Sequence, residues 1–269
     1  MSLRGIRVAL LEARMGGELE SLVRRHGGEP YAVPSLREVR RAAPCEIAAF
    51  IDSLGPRSIV ALSTGAGVRA LFEEAGARAG ELRARLSGCI TVCRGPKPVA
   101  ALKEIGVLVS VRVPEPYTTR DLIETLSAVV APNDDVTLVH YGERSAPLVD
   151  AMARRGARVR ELLLYEWALP EDTVPMRRLV EEIVERRVGA VAFTSQVQLR
   201  HLMIVAKEMR RLDDLLVALR THTIVAAVGP TCADALVQAG VVPRVVPDHP
   251  KMGAMVAALA KLLGARNVA

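Results

Sequence analysis

Gly65, Gly67 and Ala70 stand in the stretch IVALSTGAGVRALFEEAG (residues 59–76) at the G-x-G-x-x-A spacing of a dinucleotide-binding turn. The stretch reads as a buried aliphatic strand, a tight small-residue turn and an amphipathic helix, so backbone amides near the glycines could approach a phosphate. Two features of the same chain argue against NAD. The fingerprint needs an acid at the end of the next strand to bind the ribose, but that strand, GCITVC, runs into Arg94. A comparable loop later in the chain, TSQVQLRHLM (194–203), has no glycine at the matching positions. The turn is left as either a site for another anion or an ordinary helix cap.

The remaining reactive side chains are dispersed. Cys45, Cys89, Cys93 and Cys232 form no C-x-x-C pair, and the five histidines are scattered singly. Cys89 and Cys93 lie four apart on one expected strand without further ligands nearby. The cysteines are read as buried structural thiols, and no metal site is expected. Glu12 and Glu143 fall at strand ends, where pairing with Arg14 and Arg144 is expected, and no acid–base pair stands out.

The elements that would position a site have a common form. At the expected carboxyl ends of strands the chain places STGAG, RGPKP, YGERS, TSQVQ and VGPTC, each a small-residue turn that opens a helix. Ligands of open parallel sheets sit outside those ends, where free amides and the positive end of the helix dipole point outward. Proline in GPK and GPT falls near the first helical position, where its missing N–H costs nothing. The candidate binding positions in these turns include Thr64, Gly65, Ala66, Gly67, Gly95, Tyr141, Gly142, Gln196 and Gly229.

The second half of the chain repeats the first, out of order. ITVCRGP (90–96) aligns with IVAAVGP (224–230), and IVALST (59–64) with AVAFTS (190–195). VTLVHYGER (136–144) resembles IRVALLEAR (6–14), but one copy begins the chain and the other falls in its middle. Two similar parallel-sheet, flavodoxin-like α/β domains explain this, the first of them discontinuous. Residues 1–33 and 170–269 are expected to form domain one and 38–162 domain two. Segments 34–37 and 163–169 are expected to cross as a two-stranded hinge. About five strands per domain are expected, with right-handed crossovers. The two rims would face each other across a cleft suited to a polyanion.

Composition agrees with this architecture. Half of the 269 residues are apolar and only 3% are aromatic, so the core must be aliphatic, as strands buried on both faces require. The formal charge of +6 is spread over helices in pairs such as Arg24–Arg25 and Arg210–Arg211. With few aromatics for stacking, no nucleic acid is expected as a partner. The apolar runs are shorter than the roughly 18–20 residues that span a bilayer, so no membrane partner is expected. The N-terminus reads as a first strand and not a signal peptide, which implies a cytoplasmic protein.

In its order of motifs the chain resembles the uroporphyrinogen-III synthase family over nearly its whole length. The resemblance rests on STGAGVRALF, RGPKPVAALKEIGV, YGERSAPLVDAMARRGARV, the tyrosine of LLLYEWALP, AFTSQVQ and AVGPTCADALVQAGVVPRVV. It implies a cofactor-free lyase that cyclises hydroxymethylbilane, a linear tetrapyrrole bearing carboxylates, to uroporphyrinogen III with inversion of ring D through a spiro intermediate. It also implies a monomer in transient contact with the preceding pathway enzyme. By the same resemblance Tyr165 is the catalytic residue. Thr231, Thr194 and Ser195 match family hydroxyls, and Arg14 would meet a carboxylate. Where some members carry a threonine in the first GP loop this chain has Pro98, and Lys97 could bind a propionate instead. The rival reading is a non-catalytic two-domain binder or sensor of a polycarboxylate small molecule, which would share the hinge and the amide-lined rims.

Overall fold

The computed structural model describes residues 2–265; Met1 and residues 266–269, the outermost positions of the first expected domain, lie outside them. The chain begins with β1 (Arg7–Leu10), α1 (Gly16–Arg25), β2 (Glu29–Ala32), β3 (Arg37–Arg40), α2 (Pro44–Ser53), β4 (Ile59–Leu62) and α3 (Gly65–Ala75). It continues through α4 (Ala79–Ser87), β5 (Ile90–Cys93), α5 (Pro96–Ile105), β6 (Val111–Arg112), α6 (Thr119–Val129), β7 (Asp135–Gly142) and α7 (Ala146–Arg154). The last part holds β8 (Arg158–Ala168), α8 (Val174–Val184), β9 (Ala190–Phe193), α9 (Gln196–Glu208), α10 (Leu212–Thr221), β10 (Ile224–Ala227), α11 (Pro230–Gln238) and α12 (Met252–Ala265). Two compact units result. The first joins the chain up to Arg37 with the chain from Ala168 onward; the second is Glu38–Trp167. Both chain crossings fall in or beside β3 and β8, which are neighbours in one sheet.

The first unit holds a four-stranded sheet in the order β10-β9-β1-β2, and β1 pairs in parallel with both β2 and β9, as β9 does with β10. Alternation along β1 divides its side chains between two layers. Ala9 packs with the buried residues of α8, α9, α10 and α11, while Val8 and Leu10 pack with α1 and α12. A fifth strand was expected and is reduced to one parallel bridge, Ala226 to Val245. Its sequence, VVPRVVP, explains this: Pro243 and Pro247 have no N–H and bound the segment, and within it Arg244 and Val245 both donate to the Val225 carbonyl.

The second unit holds a six-stranded sheet in the order β3-β8-β7-β4-β5-β6. From β8 to β6 all neighbouring pairs are parallel. The count exceeds five because β3 is added at the edge beside β8. Val60 and Leu62 of β4 face the layer of α2, α3, α4 and α5, whereas Ile59 and Ala61 face α6 and α7. Both units are therefore three-layered, with four helices on one face of the sheet and two on the other. Strands β4, β9 and β10 are buried at every position, as aliphatic runs covered on both faces must be.

Candidate functional site

In the second unit the glycine turn is shaped by its neighbours. Thr64 caps α3, its Oγ1 accepting from the Gly67 amide at 2.9 Å. A Cβ on Gly65 would meet the Lys97 carbonyl oxygen at 2.8 Å, and one on Gly67 would meet Tyr141 Cβ at 3.1 Å. The small residues that mimic a dinucleotide fingerprint thus allow three strand-end loops to pack closely. Ala66 lies in the first turn of α3, half-buried. Gly95, at φ +89°, precedes α5 and lies against the Tyr117 ring; Lys97 is exposed in the first turn of that helix. Pro96 begins α5 and Pro98 is buried beside it, so the first turn offers fewer amides than usual.

Three aromatic side chains, in a chain with few, gather at this edge. The rings of Tyr141 and Tyr165 are 5.4 Å apart, and Trp167 stands edge-on to Tyr141 at 5.7 Å. Gly142, at φ +99°, accommodates the indole, which the Cβ of any other residue would overlap. The Tyr141 hydroxyl donates to Glu38 at 2.6 Å, and the Tyr165 hydroxyl donates to Glu74 at 2.9 Å. Glu74 also binds Arg40, and its side chain is only 3% exposed. Below this group His140 is buried. Its Nε2 lies 3.0 Å from Glu161 but is misaligned for a hydrogen bond. Burial pushes the His140 pKa down, more than Glu161 raises it, and nearby Arg144 adds to the lowering.

The first unit arranges its rim differently. The Glu12 carboxylate accepts from the amides of Arg14 at 3.0 Å and Met15 at 3.3 Å, and from the Thr194 hydroxyl. Gln198 completes the cluster: its Nε2 donates to Thr194 Oγ1 at 2.7 Å, and its Oε1 accepts from the Thr194 amide at 2.8 Å. The hydroxyl of Thr194 is therefore committed within the protein. Ser195 caps α9 through the Val197 amide, and Gln196 is exposed at the first helical position. Gly229 precedes α11 with extended backbone, and a Cβ there would meet Pro250 at 2.7 Å. Thr231 and Arg14 are exposed. No side chain caps α5, α7 or α11, so the first-turn amides that their prolines leave are offered at the ends of β5, β7 and β10.

Comparison with known proteins follows the same outline. The family model of uroporphyrinogen-III synthase HemD matches residues 17–257. The chain belongs to this family. A Bacillus subtilis relative, the uncharacterized protein YjjA, is 29% identical over 265 residues, covering 96% of each chain. A mutant uroporphyrinogen III synthase of Thermus thermophilus superposes with a TM-score of 0.80 at 29% identity, covering 96% of this chain and 99% of that one. The Helicobacter pylori enzyme, 12% identical with a TM-score of 0.55, covers 96% and 99% and shares the fold.

Within the uroporphyrinogen-III synthase fold, several sequence expectations require correction. Arg144 pairs with Glu161 at 3.0 Å, a partner the local pattern does not show, because β8 brings Glu161 alongside β7. Glu12 holds the Arg14 amide and the β9 loop, a task invisible at its own position. Cys45 is exposed, unlike the other cysteines, and Cys89 precedes β5, so it does not share that strand with Cys93. Burial pushes the Cys93 and Cys232 thiols up to about 12, which leaves them unreactive at neutral pH. Sequence reasoning also passed over Arg94. It follows β5 directly and is half-buried, and burial lowers its pKa. No acid is bonded to it among the described residues. An arginine ending a strand where a nucleotide fold needs an acid was the available signal.

Proposed function

We propose that this chain catalyses the reaction for which its family is named, the closure of hydroxymethylbilane to uroporphyrinogen III. In this reading the terminal hydroxyl departs as water and leaves an electrophilic azafulvene. Ring D attacks through its substituted carbon to form a spiro intermediate, whose fragmentation and reclosure invert the ring. Unassisted closure gives the uninverted isomer, so the protein's main task is to hold one conformer.

The observation that carries the reading is the set of uncapped helix starts at α5, α7 and α11. Such termini suit carboxylates, and charge-assisted hydrogen bonds contribute roughly 1.5–3 kcal/mol each. We assign substrate carboxylates to these amides and to Arg14, Lys97 and Arg94, with the Thr64, Ser195 and Thr231 turns alongside. Tyr165 is placed near the reacting centre. The reading invokes no cofactor, and we place the protein in the cytoplasm as a monomer. Incubating purified protein with hydroxymethylbilane and separating the product isomers tests it. Type III product well above the blank is expected. Tight binding with only type I product at the blank rate would make the chain a polycarboxylate sensor.

A further inference from the structure

We infer that Glu74 is a positioning residue for Tyr165, fixing the phenol so that its oxygen meets the substrate as an acceptor for a pyrrole N–H. The inference rests on the synthase reading above. Glu74 lies on α3, Tyr165 on β8 and Arg40 on β3, so the contact ties together a helix and two neighbouring strands. A carboxylate facing a guanidinium is an acceptor only, so the 2.9 Å contact must be donated by the phenol. A phenol has one proton. With that proton held by Glu74, the oxygen has only lone pairs left to offer.

The cationic groups and main-chain amides of the candidate rim lack this chemistry. Backbone amides, Lys97, Arg94 and Arg14 are all donors, suited to the carboxylates of a bilane but not to its pyrrole N–H groups. The Tyr165 oxygen supplies the complementary acceptor. Its position is held further by the ring of Tyr141, itself tied to Glu38. For Tyr165 to act as an acid toward the departing hydroxyl, the buried Glu74 carboxylate would have to give up a charge-assisted hydrogen bond with no solvent to replace it.

The test uses the full-length protein with hydroxymethylbilane, reading kcat, KM and the ratio of type III to type I product. Tyr165→Phe and Glu74→Gln should each lower kcat about tenfold or more and raise the type I share. The double variant should be no worse than Tyr165→Phe by more than about twofold, because Glu74 acts through the phenol. The fold-loss from Tyr165→Phe should also persist with a bilane carrying a better leaving group, since no proton is delivered to it. Losses that multiply in the double variant, or a Tyr165→Phe defect that vanishes with the better leaving group, would overturn the inference while wild-type activity stands. Wild-type protein that yields no type III isomer overturns the synthase reading and this role with it. Should Glu74→Gln fail to fold, Glu74→Asp keeps the charge beside Arg40 but withdraws the acceptor, and the same coupling is expected.

Discussion

Sheet register places Glu12 of the first unit and His140 of the second at the same point of their sheets. Val8 pairs with Ala190, the first residue of β9, and Val136 with Ile59, the first residue of β4; each polar residue lies four positions further along. From this shared point the duplicated units diverge. Glu12 binds backbone amides and Thr194, so the first rim is satisfied by a carboxylate and polar side chains. His140 is buried, β7 runs on past it, and the second rim is filled by Tyr141, Tyr165 and Trp167. The comparison separates a rim organised by internal hydrogen bonds from one organised by aromatic packing and bearing the uncompensated charge of Arg94.

The largest effect should come from disturbing the aromatic rim. Gly142→Ala combines a left-handed backbone with a Cβ that overlaps the Trp167 indole. A loss of about 3 kcal/mol or more is expected in denaturant unfolding, because both strain and overpacking act. Gly229→Ala in the first unit brings one carbon of Pro250 to 2.7 Å, on extended backbone without left-handed strain, and should cost less than half as much. Equal losses would remove the contrast between the two rims.

Arg94 sharpens the comparison through binding. A half-buried guanidinium without an acid costs desolvation in the free protein, and a substrate carboxylate would offset it. Arg94→Met should raise KM for hydroxymethylbilane about tenfold with kcat within about threefold, and leave the unfolding midpoint unchanged or higher. An unchanged KM would take Arg94 out of the binding set. In the first rim Thr194→Val keeps the shape and deletes the donor to Glu12. It should cost about 1–2 kcal/mol of stability and change turnover by less than about threefold. A large loss of turnover without loss of stability would instead make the Thr194 hydroxyl a substrate contact.

Much of this arrangement was legible in sequence for local reasons. Continuous aliphatic runs marked β4, β9 and β10 because strands covered on both faces need no alternation. Thr64, Ser195, Pro96 and Pro230 marked helix starts because capping is decided within one turn. Internal repetition marked the permuted layout. What stayed hidden depends on partners far along the chain: Glu12 meets Thr194 across 182 positions and Tyr165 meets Glu74 across 91. The role of the glycines in the 65–67 turn stayed open for the same reason. Their small size answers to the Lys97 carbonyl and Tyr141, which no local pattern reveals.

The smallest effect is a dependence on pH, and it falls on the second unit alone at the shared point. Burial holds the His140 pKa below its ordinary value of 6.5, against the pull of Glu161. Above pH 6.5 both folded and unfolded chains carry a neutral imidazole, and the group costs nothing. As pH falls through 6.5 the unfolded chain takes up the proton first, so stability declines until the lower folded pKa is reached. The contribution is bounded by about 1.4 kcal/mol per pH unit. Unfolding midpoints of wild type and His140→Gln should therefore run parallel above neutrality and converge or cross on acidification, with wild type losing more. A gap that stays constant from pH 7.5 to pH 5 would mean that His140 takes up its proton equally in both states, and that burial at this point of the sheet is matched by Glu161.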